Sequence, residues 1–110
     1  MADIKKITSN EEFQEFANRD NSLNIIKISA GWCGPCRVLS DTIKGLSQEE
    51  VDGILIGEVD VDDEWFEDMA TELKIRGIPV LLAYKNGELK GRTQGGMTKE
   101  AMLDFFNENR

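Results

Sequence analysis

The chain of 110 residues contains no histidine, two cysteines, two prolines and one tyrosine, and it sets 13 basic residues against 21 acidic ones. Each shortage excludes something. Without histidine there is no imidazole to serve as a catalytic base or a metal ligand. Two cysteines cannot build a cysteine-rich zinc site or a framework of several disulfides. No metal site is therefore expected. A formal charge of -8 without a basic cluster argues against binding nucleic acid through its phosphates. No window holds the roughly 18 apolar residues of a membrane span, and the first seven residues lack the apolar run of a signal peptide. The reading is thus of a cytoplasmic protein with neither nucleic acid nor membrane among its partners.

What is present fits an ordinary globular protein, with 40% hydrophobic and 31% charged residues. The length suits one domain over residues 1–110, large enough to bury a core without a covalent staple. The acids are uneven. No basic residue lies between Lys44 and Lys74, and that gap holds eleven of the 21 acids. It reads either as a solvated face that aids solubility or as a surface that selects basic partners.

Apolar patterning divides the chain into alternating elements. Asp3 to Ile7 reads as a short edge strand. Ser9 to Glu12 resembles a capping box leading a helix with Phe13, Phe16 and Ala17 on one side. The β-branched run in Leu23 to Ser29 reads as a buried strand. Val38, Leu39, Ile43 and Leu46 follow at helical spacing. Gly53 to Asp60 is a second buried strand, and Glu64 to Leu73 a helix on which Trp65 packs. Asn86-Gly87 joins two strands as a tight hairpin, and Thr98 caps a last helix. The order β-α-β-α-β-α-β-β-α predicts an α/β fold in three layers, a mixed central sheet of about five strands with about four flanking helices.

Chemistry concentrates in Trp32-Cys33-Gly34-Pro35-Cys36, placed between a buried strand and a helix. A cysteine at a helix N-terminus faces unpaired N–H groups and the positive end of the helix dipole, which favour thiolate. A spacing of three puts the second sulfur within bonding reach. Pro35 needs no N–H partner in the first turn and stiffens the link. The predicted chemistry is a dithiol that opens and closes, with Cys33 attacking a partner disulfide and Cys36 resolving the mixed disulfide. Half a zinc site would lack two ligands, and a purely structural disulfide is disfavoured inside a cell.

This motif resembles the active site of the thioredoxin family. Ile75-Arg76-Gly77-Ile78-Pro79-Val80 resembles that family's cis-proline loop, and Tyr84 to Glu88 the hairpin joining its last two strands. Order and spacing agree from about Ile4 to the C-terminus. The resemblance implies a thioredoxin fold and a general protein-disulfide reductase that needs no bound cofactor. On that resemblance it would act on disulfide-containing proteins, take electrons from a thioredoxin reductase and work as a monomer. Cys33 would be the exposed nucleophile and Cys36 the buried resolving thiol. Trp32, with Gly34 and Pro35, would support the redox loop. Pro79 would face Cys33, the backbone of Ile78 would pair with a substrate strand, and Gly95 would lie on the rim of the substrate groove. A disulfide oxidase or isomerase of an oxidising compartment, or an accessory subunit acting by binding alone, are the rival readings.

The sequence departs from the family pattern in an ordered way. The usual buried acid six residues before the nucleophile is Lys27 here, and the usual lysine on the third strand is Glu58. Opposite changes at two partnered positions imply a charge-swapped Lys27–Glu58 pair under the active site, since a lone buried lysine is costly. Glu58, or a neutral Lys27, would then accept the resolving thiol's proton, or a cationic Lys27 would stabilise the thiolate. Asp41 stands where a kinking proline is common, so the helix either runs straighter or is loosened at Gly45. Ser29 replaces a usual aromatic, and Asp62 to Ile75 reads as about two residues longer than is typical of the family.

Overall fold

A computed structural model describes residues 2–110. Five strands form one sheet: β1 (Lys5–Lys6), β2 (Leu23–Ser29), β3 (Ile54–Asp60), β4 (Val80–Lys85) and β5 (Glu88–Gln94). Their order across the sheet is β1-β3-β2-β4-β5. The β1/β3 and β2/β3 pairs are parallel, while β2/β4 and β4/β5 are antiparallel. The helices are α1 (Asn10–Ala17), α2 (Gly34–Lys44), α3 (Glu67–Glu72) and α4 (Lys99–Asn109). The predicted alternation and the mixed three-layer sheet are both present. No helix among the described residues is long and apolar enough to cross a membrane.

Strand β2 is buried along its whole length, because it is central and covered on both faces. Its side chains alternate between those faces. Leu23 and Ile25, with Ile54 and Ile56 of β3, pack against Leu39 and Ile43 of α2 and Phe106 of α4. Ile26 and Ile28 face the other way, with Phe13 and Phe16 of α1 and Phe66. The same period of two places Lys27 and Ser29 of β2 and Glu58 of β3 on the α2 side, beyond the apolar rungs. Lys27 and Glu58 are register partners across the parallel pair. The face under α2 is thus apolar at one end and polar at the other.

Local signals explain most boundaries. Ser9 caps α1 by accepting from the Glu12 N–H. Glu12 does not complete the expected reciprocal box at Ser9; its carboxylate takes the Thr8 N–H and hydroxyl instead, which hold its pKa below the ordinary value. Asn86 and Gly87 both have positive φ, 53° and 80°, as a two-residue type I′ hairpin requires. Thr98 caps α4.

Two elements differ from expectation. The first strand pairs only at Lys5 and Lys6, with Ile7 adding one bond to the Glu58 carbonyl. The helix expected over Glu64 to Leu73 is a 3-10 turn, Glu64–Phe66, followed by the short α3. Trp65 and Phe66 both pack edge-on or tilted against Phe13. Phe66 is buried and Trp65 half-buried beside it; the tighter 3-10 turn brings both rings to Phe13.

Candidate active site

Strand β2 ends at Ser29, and the turn Ala30-Gly31-Trp32 delivers the chain to α2. Cys33 is the N-cap of that helix, with extended backbone, and its sulfur accepts the Cys36 N–H at 3.2 Å. The group that occupies the N-cap acceptor position is therefore the sulfur itself. Pro35 lies in the first turn, where its missing N–H costs nothing. The Arg37 guanidinium donates to the Gly31 carbonyl at 2.7 Å and ties the turn to the helix. Cys33 and Cys36 are joined as a disulfide.

The bonded sulfurs sit in a small apolar cluster with Ala30, against which Val61 and Ile78 pack. Cys33 is 6% exposed and Cys36 1%. The expectation of an exposed Cys33 is thus corrected: in the bonded form it is packed with Ala30 and against Ile78. The order of accessibility is retained. Trp32 is 70% exposed, yet its indole N–H donates to Asp62 at 2.7 Å, which fixes the ring beside the redox loop.

The Ile78–Pro79 peptide bond is cis. Pro79 is buried and Ile78 half-buried. The Pro79 carbonyl accepts the Gly95 N–H at 2.8 Å, and Gly95 has a φ of 92°, a conformation that suits glycine. A Cβ on the next residue, Gly96, would lie 3.8 Å from that of Pro35. The loops carrying Pro79, Gly95 and Pro35 therefore border one another. Gly34 has open space around its Cα.

Lys27 is 1% exposed. Its ammonium donates to Glu58 Oε2 at 2.8 Å and to the Ser40 hydroxyl at 2.5 Å. Glu58 Oε2 also accepts from Ser29 at 3.0 Å, and Oε1 pairs with Lys6 at 2.6 Å. Burial pushes the Glu58 carboxyl up, but hydrogen bonds from Lys27 and Lys6 outweigh it and hold the pKa at about 2. An open cleft of about 550 Å³ is lined by Lys27, Ser40, Glu58 and Cys36 together. The inferred charge swap is thus an ion pair between a buried lysine and a half-buried carboxylate, in the same cleft as Cys36.

Three partners escaped the sequence reading. Asp62, Lys6 and Ser40 meet Trp32, Glu58 and Lys27 from other elements, and only Ser40 carried a signal: it lies four residues after Cys36, on the same helix side. Helix α2 runs unbroken, and Gly45 ends it rather than loosening it.

With this geometry in place, comparison with known proteins is specific. The family model described as thioredoxin matches residues 4–108. The thioredoxin of Sus scrofa is 34% identical over 106 residues, covering 96% of this chain and 97% of that protein. The thioredoxin of Chlamydia caviae is 32% identical over 104 residues, covering 94% and 97%. Mitochondrial thioredoxin 3 of Saccharomyces cerevisiae, solved in its oxidised form, superposes with a TM-score of 0.81 at 25% identity, covering 96% of this chain and 94% of that one. A bonded Cys-x-x-Cys pair at a helix N-terminus, on this fold and among these relatives, is a thiol–disulfide oxidoreductase site, and the chain belongs to the thioredoxin family of protein-disulfide reductases.

Proposed function

We propose that Cys33 is the attacking thiol and Cys36 the resolving one. The observation that carries this is the Cys33 sulfur at the N-cap of α2, accepting the Cys36 N–H. There the helix terminus favours thiolate. The Cys33 thiolate attacks one sulfur of a protein disulfide, forming a mixed disulfide and releasing the other sulfur as thiolate. The Cys36 thiolate then attacks Cys33, closing the internal disulfide and releasing the reduced substrate. Two electrons pass to the substrate, and a thioredoxin reductase returns them to the pair. Trp32, Gly34 and Pro35 support the loop. Pro79 faces Cys33, with Ile78 offering its backbone to a substrate strand and Gly95 forming the rim. In this reading the protein works as a monomer in the cytoplasm.

Lys27 and Glu58 set the electrostatics of the second step. A carboxyl held at about 2 is too weak a base to take a thiol proton at neutral pH. Glu58 therefore serves as a fixed anion that keeps a buried lysine in place, and the Lys27 ammonium supports the Cys36 thiolate. Substitution of single cysteines tests the assignment. A Cys36→Ser protein should accumulate a mixed disulfide with a protein substrate through Cys33, while Cys33→Ser forms none and loses turnover. Trapping through Cys36 would reverse the roles.

A further inference from the structure

We propose that Ser40 is a positioning residue for the disulfide reduction: its hydroxyl fastens the Lys27 ammonium to the helix that carries Cys36, and so keeps that cation on the thiol's side of the ion pair. The inference rests on the reading that Lys27 supports the Cys36 thiolate.

Lys27 and Ser29 come from β2, Glu58 from β3 and Lys6 from β1. All four belong to the sheet. Cys36 belongs to α2. Among the described hydrogen bonds, Ser40 is the one polar tie from α2 to this cluster: it accepts from Lys27 at 2.5 Å and donates to Glu58 Oε2 at 3.5 Å. An ammonium with three donors and a carboxylate on the sheet alone would settle toward the carboxylate. The Ser40 oxygen pulls it toward the helix. Ser40 lies one turn beyond Cys36, and residues four apart in a helix lie on the same side, so the oxygen that holds the cation and the sulfur it serves share one face of α2. Both line the same cleft as Lys27 and Glu58.

Other charges face that cleft and bound the effect. From the sheet side come Lys6, Lys27, Glu58, Asp60 and, in the turn after β3, Asp63. Helix α2 adds Arg37, Asp41 and Lys44, all three exposed to solvent and therefore screened. Lys27 alone combines full burial with a bond to α2, which makes its position decisive for a thiol on that helix.

The test is the titration of the Cys36 thiol in a Cys33→Ser background, followed by ultraviolet thiolate absorbance. Tyr84, the sole tyrosine, has its pKa raised by burial and so leaves the thiol range clear. Ser40→Ala should move the Cys36 midpoint up by about half a pH unit, a thiolate population lower by roughly threefold at a fixed pH on the flank. Ser40→Thr, which keeps the hydroxyl, should restore it. Alanine is the better helix former, so α2 itself is not weakened by the first change. Lys27→Met should shift the midpoint in the same direction. If Lys27→Met shifts it and Ser40→Ala does not, the Ser40 assignment falls and the reading of Lys27 stands. If neither shifts it, both fall. A shift in Ser40→Ala that Ser40→Thr fails to restore would make the effect one of helix packing and also overturn the proposal.

Discussion

Glu58 accepts hydrogen bonds from two lysines and from serines on both the sheet and α2, and this sets how the fold responds to acid. Its carboxyl is held near 2 in the folded chain against an ordinary value of 4.5. A depressed carboxylate contributes stability that is present above the unfolded value and is lost as the pH falls through the folded one. The window therefore runs from about 4.5 down to about 2. With the side chain partly open to solvent, the contribution is on the order of 2 kcal/mol once screening is allowed for. Glu58→Gln should be less stable than the parent at neutral pH, and the gap should close as the pH falls through that window. Denaturant midpoints measured for both proteins at several pH values check this, and a gap independent of pH would sink it. The same residue shows what a sequence can disclose. The opposed departures at positions 27 and 58 point to a pair because two charges of opposite sign are cheaper to bury together than either is alone. Lys6 gives no such sign, because a lysine on an edge strand is an ordinary residue until the fold brings it to the carboxylate, and the spacing of Ser40 from Cys36 shows only that they share a helix side.

At the scale of elements, β3 owes its place in the sheet to a residue without a side chain. A Cβ on Gly57 would lie 2.7 Å from Ile7 Cδ1 and 3.1 Å from Phe16 Cζ. The strand can pack directly under the Ile7 and Phe16 side chains because nothing projects there. Gly57→Ala should cost about 1–3 kcal/mol, the usual penalty for overpacking a filled core. Equilibrium urea unfolding measures it, and a change below about 0.5 kcal/mol would show that Ile7 yields freely. Elements with a strong local cause were legible in advance. The β-branched run of β2 and the Asn86-Gly87 turn dictate their own conformations, so those boundaries agree to within a residue. The segment from Glu64 to Leu73 did not, because its apolar stripe has helical period while its geometry is set by Phe13 of α1, a contact made across the fold. The short β1 is a similar case: β3 runs past both of its ends, yet only Lys5 and Lys6 pair with it.

Across the whole molecule, the net charge of -8 acquires a direction once the fold is known. Of the eleven acids between Lys44 and Lys74, Glu58 is withdrawn into the ion pair. Asp60, Asp62 and Asp63 lie at the end of β3 and in the turn after it, and Asp62 holds the exposed Trp32 beside Cys33. The approach to the sulfurs is therefore flanked by negative charge on the β3 side, opposed on the α2 side by Arg37. Fields of this kind raise the encounter rate of oppositely charged solutes and depress that of like-charged ones, and they fade as salt shortens the screening length to about 10 Å at 0.1 M. Two small disulfides of similar size and opposite charge separate this from intrinsic reactivity. The dicationic cystamine should be reduced faster than the dianionic dithiodiglycolate, on the order of tenfold at low ionic strength, and the ratio should shrink toward the ratio of their uncatalysed exchange rates as salt is added. Second-order rate constants for the reduced protein at several ionic strengths provide the measurement. A ratio that salt leaves unchanged would mean that the acids do no more than keep the protein in solution.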